Sequence, residues 1–93
     1  MHKLVRAVIT CIGTDKVGII ASISTILAEC NVNILDINQT TMQDIFTMVM
    51  LVDVSGLNIG FNELAEKLES KGKEIGLYVK IQHEDIFNSM HRI

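Results

Sequence analysis

The chain has 93 residues, of which 48 % are hydrophobic and 20 % charged, and its formal net charge is −3. This length and apolar content fit one domain with one hydrophobic core and exclude a disordered or low-complexity chain. The eight Lys and Arg residues are scattered, which excludes the basic stripe of a nucleic-acid interface. No apolar run approaches the roughly 18 residues that span a bilayer, and no export signal is recognisable. We therefore expect no nucleic-acid or membrane partner.

A strand, a helix and a second strand are predicted for the first half of the chain. Residues 3–13 read as a strand with apolar side chains on both faces. A helix follows over about 17–30, with apolar residues at helical spacing along one side. Asn31 is expected to end this helix in the left-handed conformation. The next strand covers 32–42.

The second half repeats the same order of elements. Residues 45–53 form a strand that pairs with the preceding one as a hairpin. A helix over about 61–75 and a strand over 77–83 follow. The last residues, 84–93, carry Ile86, Phe87, Met90 and Ile93 on one stripe of a short helix.

The order βαββαβ is typical of a ferredoxin-like α+β sandwich. Two right-handed βαβ crossovers place both helices on one face of a four-stranded antiparallel sheet. Residues 1–84 then form the domain, and residues 85–93 form an amphipathic extension that packs on the domain or on a partner subunit.

Because the helices cover one face of the sheet, the other face is left bare. An apolar face of this size marks an interface, so we expect a homodimer or higher homo-oligomer. The residues that we assign to the bare face are Leu4, Val8, Ile12, Phe46, Met48, Met50 and Val52.

Cys11 and Cys30 lie inside predicted regular elements and lack the spacing of a redox or zinc motif. Such thiols are typical of the interior of a cytoplasmic protein, so we expect cytoplasmic localisation. His83, Glu84 and His91 can bind metals, but their spacing is not that of a metal site. The sequence predicts neither a metal nor a cofactor, and it shows no pairing of a nucleophile with a base.

Four short motifs occur in order along the chain: Asp15-Lys16-Val17-Gly18-Ile19-Ile20-Ala21, Leu27-Ala28-Glu29, Asn33-Ile34 and Phe46-Thr47-Met48. In this order and spacing they resemble the ACT domain, a small regulatory module that binds amino acids beside metabolic enzymes and regulators. The resemblance covers residues 3 to about 83. Residues 85–93 resemble the tail of a subfamily of stand-alone, single-domain proteins. The chain is more distantly similar to one half of a glycine-cleavage transcriptional repressor.

The resemblance also implies a ligand site on the turn between the first strand and the first helix. The implied residues are Thr14, Asp15, Lys16, Val17, Gly18 and Ile19 on the turn, faced by Asn33 and Ile34 on the second strand. Many members of the family carry proline where this chain has Val17, so the turn is less rigid here but gains an N–H donor.

The chemistry of these residue types suits a zwitterionic ligand. Gly18 lacks a Cβ, so a carboxylate can approach its backbone, and the first N–H groups of a helix favour an anion. Asn33 offers both a donor and an acceptor. Simpler roles remain open, since Asp15 can cap the helix, Gly18 can permit close packing of helix and strand, and Asn33 can bond a neighbouring loop.

We therefore expect a regulatory binding module for a small molecule, in particular an amino acid, that acts as a homo-oligomer on an enzyme or regulator. An enzyme is not expected. Residues 13–18 lack the paired cysteines of a metal-carrying relative of the same fold and the arginine of an acyl-phosphate hydrolase. The alternative is a protein–protein adaptor or a transcriptional or metabolic regulator whose cleft has no physiological ligand.

Overall fold

The computed structural model describes residues 5–14 and 18–86. Within them the predicted order βαββαβ is confirmed. The elements are β1 (Arg6–Gly13), α1 (Ile19–Glu29), β2 (Asn33–Met42), β3 (Ile45–Asp53), α2 (Phe61–Ile75) and β4 (Tyr78–His83). The described part of the chain contains no helix that is long and apolar enough to cross a membrane.

The four strands form one antiparallel sheet in the order β2-β3-β1-β4. The two central strands, β1 and β3, pair over the whole length of β1, from Arg6 with Asp53 to Gly13 with Phe46. A short C-terminal helix begins at Glu84, directly after β4. The predicted ferredoxin-like sandwich is therefore confirmed.

The hydrophobic core lies between the sheet and the two helices. Side chains alternate between the faces of a strand, so every second residue of β1 and β3 enters the core. The core residues of these strands are Ala7, Ile9, Cys11, Phe46, Met48, Met50 and Val52. The helices cover them with Ile19, Ile23, Leu27, Leu64 and Leu68.

The predicted composition of the bare face is wrong for β3. Phe46, Met48, Met50 and Val52 are at most 3 % exposed, and they pack under the helices. Paired residues of neighbouring strands share a face of the sheet, and Val8 pairs with Leu51 while Ile12 pairs with Thr47. The face away from the helices, called the open face below, therefore carries Val8, Thr10, Ile12, Thr47, Val49 and Leu51 from the two central strands. Leu4 lies outside the described residues.

Two asparagines, Asn31 and Asn58, hold the C-terminal end of α1. Asn31 has a φ of 61°, which confirms that it ends the helix in the left-handed conformation. Its Nδ2 donates to the Gly56 carbonyl at 2.8 Å, and the Asn58 Nδ2 donates to the Glu29 carbonyl at 3.0 Å. The second bond satisfies a carbonyl at the end of α1, and the first ties the start of the connection to β2 to the loop after β3.

The two faces of β3 should respond differently to truncation. We expect Met48→Ala to lower the free energy of unfolding by about 2–5 kcal/mol, because it leaves a cavity in the core. Thr47→Ala, one residue away on the open face, should change it by less than about 1 kcal/mol. Urea unfolding of both variants measures this difference. Equal losses would contradict the assignment of the two faces.

Candidate ligand-binding site

α1 begins near the end of the sheet at which β1 ends, at Gly13. Gly18 occupies the N-cap position with φ 77° and ψ −4°. The Ser22 N–H donates to the Gly18 carbonyl at 2.9 Å and begins the hydrogen bonds of the helix. The N–H groups of Ile19, Ile20 and Ala21 precede this bond and have no carbonyl partner within the helix. This end of α1 therefore favours an anion.

Gly18 is required by its backbone conformation. Its φ of 77° lies in the left-handed region, which costs other residues roughly 1–2 kcal/mol. A Cβ built at this position meets no atom within 4 Å. Among the described residues nothing packs closely against Gly18, so its left-handed backbone conformation accounts for the glycine.

Several of the predicted site residues cannot be placed. Asp15, Lys16 and Val17 lie outside the described residues, so the capping role of Asp15 stays a prediction. Thr14 is exposed beside the turn. Ile19 is 2 % exposed because its side chain belongs to the core, which leaves only its backbone N–H for a ligand.

Asn33 lies at the other end of the sheet. It pairs with Asp53, which pairs in turn with Arg6 at the start of β1. The 11 residues of α1 separate Gly18 from this end, a distance of about 16 Å at 1.5 Å per residue. The structure therefore does not bring Asn33 to the turn within a single chain.

The strand that carries Asn33 and Ile34 is an edge strand with every residue exposed. Ile34 and Ile37 are each 37 % exposed, and their partners Val52 and Met50 place them on the helix-facing side. Leu35, 45 % exposed, is the extra residue where the register shifts. These exposed apolar residues of the outer strand, Ile34, Leu35 and Ile37, are called the β2 edge below. Ile20, in the first turn of α1, is likewise 38 % exposed.

Sequence reasoning missed the β2 edge. Its signal was present in the chain as three apolar residues, Ile34, Leu35 and Ile37, at the start of a strand whose second half is polar. Unpaired strand edges with apolar side chains are unusual on a monomer, because they template pairing with another chain. The β2 edge is therefore an exposed apolar strand edge next to the helix-covered face of the sheet.

The other reactive groups are engaged in structural roles. Burial raises the pKa of the Cys11 thiol to about 11, so this cysteine is protonated and unreactive at neutral pH. Cys30 is also buried and free. The ring of His83 stacks on Phe61 with centroids 3.9 Å apart, and Glu84 binds Arg6. No group of three His, Cys, Asp or Glu residues within the described ranges can hold a metal ion.

A groove between α1 and α2 does not suit the same ligand. Its lining includes the apolar Ile26 and Ile59, the carboxylates of Glu29, Glu63, Glu66 and Glu74, and the ammonium groups of Lys67 and Lys71. The carboxylates outnumber the ammonium groups, so the net negative charge disfavours the carboxylate of an amino acid. None of the predicted site residues lines the groove, so the N-terminus of α1 is the better anion site.

Comparison with known proteins supports the assignment of the fold. The family model of the ACT domain matches residues 6–82. A UPF0237 protein of Clostridium acetobutylicum is 56 % identical over 88 residues, which cover 95 % of this chain and 99 % of the relative. The solved structure of an ACT domain protein from Streptococcus pneumoniae is 36 % identical, with a TM-score of 0.79 and coverage of 91 % of this chain and 96 % of the other.

A more distant likeness agrees with the predicted resemblance. A protein assigned as a glycine cleavage system transcriptional repressor is 23 % identical, with a TM-score of 0.71. The match covers 86 % of this chain and 46 % of the repressor, and at this identity it shows a common fold. From the family match and the close relatives together, this chain belongs to the ACT domain family.

Proposed function

We propose that the protein is a regulatory module that binds a small amino acid between two copies of the chain. The observation that carries the proposal is the division of the candidate site. The anion-favouring end of α1 and Asn33 lie at opposite ends of one sheet, and the exposed β2 edge runs between these ends. A second copy that pairs along β2 brings the two halves together.

Antiparallel pairing of β2 with β2 of a second copy has the required geometry. Such pairing sets the first residue of one strand beside the last residue of the other. Asn33 of one copy then lies near Met42 of its partner. Met42 follows Thr41, which is in register with Phe46 and, across the sheet, with Gly13, so this is the end where α1 begins. The twofold axis of the pair generates two equivalent sites.

The chemistry of the combined site fits an α-amino acid. The N–H groups of Ile19 and Ile20 at the start of α1 receive the carboxylate. The amide of Asn33 from the second copy accepts a hydrogen bond from the ammonium group. The described residues supply no catalytic pair here, and binding by itself changes the stability and orientation of the two copies. A change in the stability and orientation of the two copies is how a regulatory module signals ligand binding to an enzyme or regulator.

Pairing along β2 also explains the apolar residues at the domain border. In the pair, Ile34, Leu35, Ile37 and Ile20 of both copies are removed from water, which favours association at roughly 25 cal/mol per Å² of apolar area. The unpaired backbone groups of β2 gain partners in the same step. The alternative function, an adaptor or regulator with no ligand in its cleft, uses the same pair without the amino acid.

Interface variants can identify the surface that pairs. We expect Ile37→Lys to give a monomer, because it places an ammonium group in the centre of the β2 edge. Ile12→Lys is the matched control, since Ile12 is 39 % exposed against 37 % for Ile37 but lies on the open face. Sedimentation velocity at micromolar concentration distinguishes the variants. A monomeric Ile12→Lys with a dimeric Ile37→Lys would place the interface on the open face instead.

The ligand is sought first by thermal shift of the unmodified protein with each of the 20 common L-amino acids at millimolar concentration. An amino acid that binds the native state raises the melting temperature. Gly18→Ala should abolish this shift by placing a methyl group where the carboxylate approaches. Gly76→Ala is the matched control, since Gly76 also has a positive φ of 73° and open space at its Cβ. Both variants should lose about 1 kcal/mol of stability, and only the first should lose binding.

Mixed dimers test whether two copies share a site. Asn33→Ala should weaken binding by about 1–3 kcal/mol, the cost of an unpaired buried polar group. A dimer of one Gly18→Ala chain and one Asn33→Ala chain then keeps one intact site and one with both changes. Calorimetry with the amino acid found above should recover wild-type affinity at half the stoichiometry. No recovery would show that the site lies within one chain, and no binder in the screen would favour the adaptor.

A further inference from the structure

We propose that the C-terminal segment, residues 87–93, docks on the open face of its own sheet and is anchored there by the ion pair between Arg6 and Glu84. The open face then serves as an intramolecular binding surface, and pairing between copies is directed to the β2 edge. The segment itself lies outside the described residues, whereas the surface proposed to receive it is described.

The first observation is uneven burial across the open face. Val8 is 6 % exposed, although it is not part of the core cluster under the helices. Its cross-strand partners Leu51 and Gln82 are half-buried. Toward the other end of the same face, Ile12 is 39 % and Tyr78 is 55 % exposed. Thr10, Thr47 and Val49 of the same face are half-buried as well. Burial is therefore deepest at Val8, in the half of the open face that contains Arg6, called the protected half below.

The second observation is the position at which the chain leaves β4. The Arg6 Nε donates to Glu84 Oε1 at 2.9 Å, and Arg6 Nη2 lies 2.7 Å from Glu84 Oε2. Such a two-pronged pair fixes both distance and orientation. Arg6 is two residues before Val8 and so shares its face of the sheet. The pair therefore holds the start of the C-terminal helix at the protected half of the open face.

The sequence after Glu84 has the length and the apolar pattern of a short amphipathic helix that could pack on the open face. Ile86, Phe87, Met90 and Ile93 recur at the spacing of one helical stripe. If the ten residues 84–93 form a helix, as proposed, it spans about 15 Å, and adjacent strands are about 4.8 Å apart. A helix of this length crosses the sheet from β4 past β1 to β3. The apolar stripe then meets Val8 and Leu51, which are the apolar residues of the protected half.

The charges agree with the same placement. Removing the side chains of the stripe from water stabilises the folded chain, while His91 and Arg92 lie off the stripe and remain at the surface. A cover of this kind leaves Ile12 and Tyr78 exposed, as observed. With the segment docked, the protected half of the open face is not accessible to a second copy, which leaves the β2 edge for pairing.

A single tryptophan reports on the segment, because the natural chain contains none. In the full-length Phe87→Trp protein we expect blue-shifted emission and protection from iodide quenching. Adding Glu84→Gln or Val8→Ser should shift the emission to the red and raise the quenching at least twofold. Ile12→Ser, on the same strand and face but outside the protected half, should leave both unchanged. Circular dichroism verifies that each variant is folded.

Two results would overturn the proposal. Emission typical of free tryptophan in the folded Phe87→Trp protein would show that the segment does not dock. Protection that is lost on dilution would assign the open face to the segment of a second copy. Hydrogen exchange of residues 87–93 in the unmodified chain gives the same answer without a substitution. Slow exchange that becomes fast in Glu84→Gln supports docking, and fast exchange in both contradicts it.

Discussion

The antiparallel register between β1 and β3 controls where every other part of this protein lies. These two strands occupy the centre of the sheet, and their pairing aligns Ile9 with Met50 and Cys11 with Met48 on the buried side. A slip of one residue would turn these side chains outward and bring Val49 and Leu51 under the helices. The helices dock on the side that this register provides, and the opposite side becomes the open face.

The same arrangement leaves β2 at the border of the sheet. α1 connects β1 to β2 and covers the core, but it does not cover the outer strand, all of whose residues are exposed. In the proposed pair, a second copy of the strand supplies hydrogen-bond partners to the outer backbone groups of β2 and also covers its apolar side chains. The proposed pairing of copies and the proposed completion of the candidate site therefore depend on one topological fact, the terminal position of β2.

The proposed functions of the two surfaces are separate but compatible. The β2 edge unites the start of α1 with Asn33 of another copy, and the open face receives the C-terminal segment. Asn33, Asp53 and Arg6 lie in one row across the sheet, so Arg6 of the proposed anchor is two strands, about 10 Å, from Asn33. A module built in this way gains specificity from backbone N–H groups and one amide, with the scaffold supplying their positions.

The sequence by itself determined the kinds of elements, their order and most of their ends, because hydrophobic periodicity and residues such as Asn31 act over a few positions. It also indicated Gly18 as a special position, since the left-handed region favours glycine. Tertiary structure alone decided which face of β3 is buried, because both faces are apolar and only pairing with β1 distinguishes Met48 from Val49. It also placed Asn33 one helix length from Gly18 and joined Arg6 to Glu84 across 78 positions of sequence. Such separations are set by the path of the folded chain, which local patterns do not record.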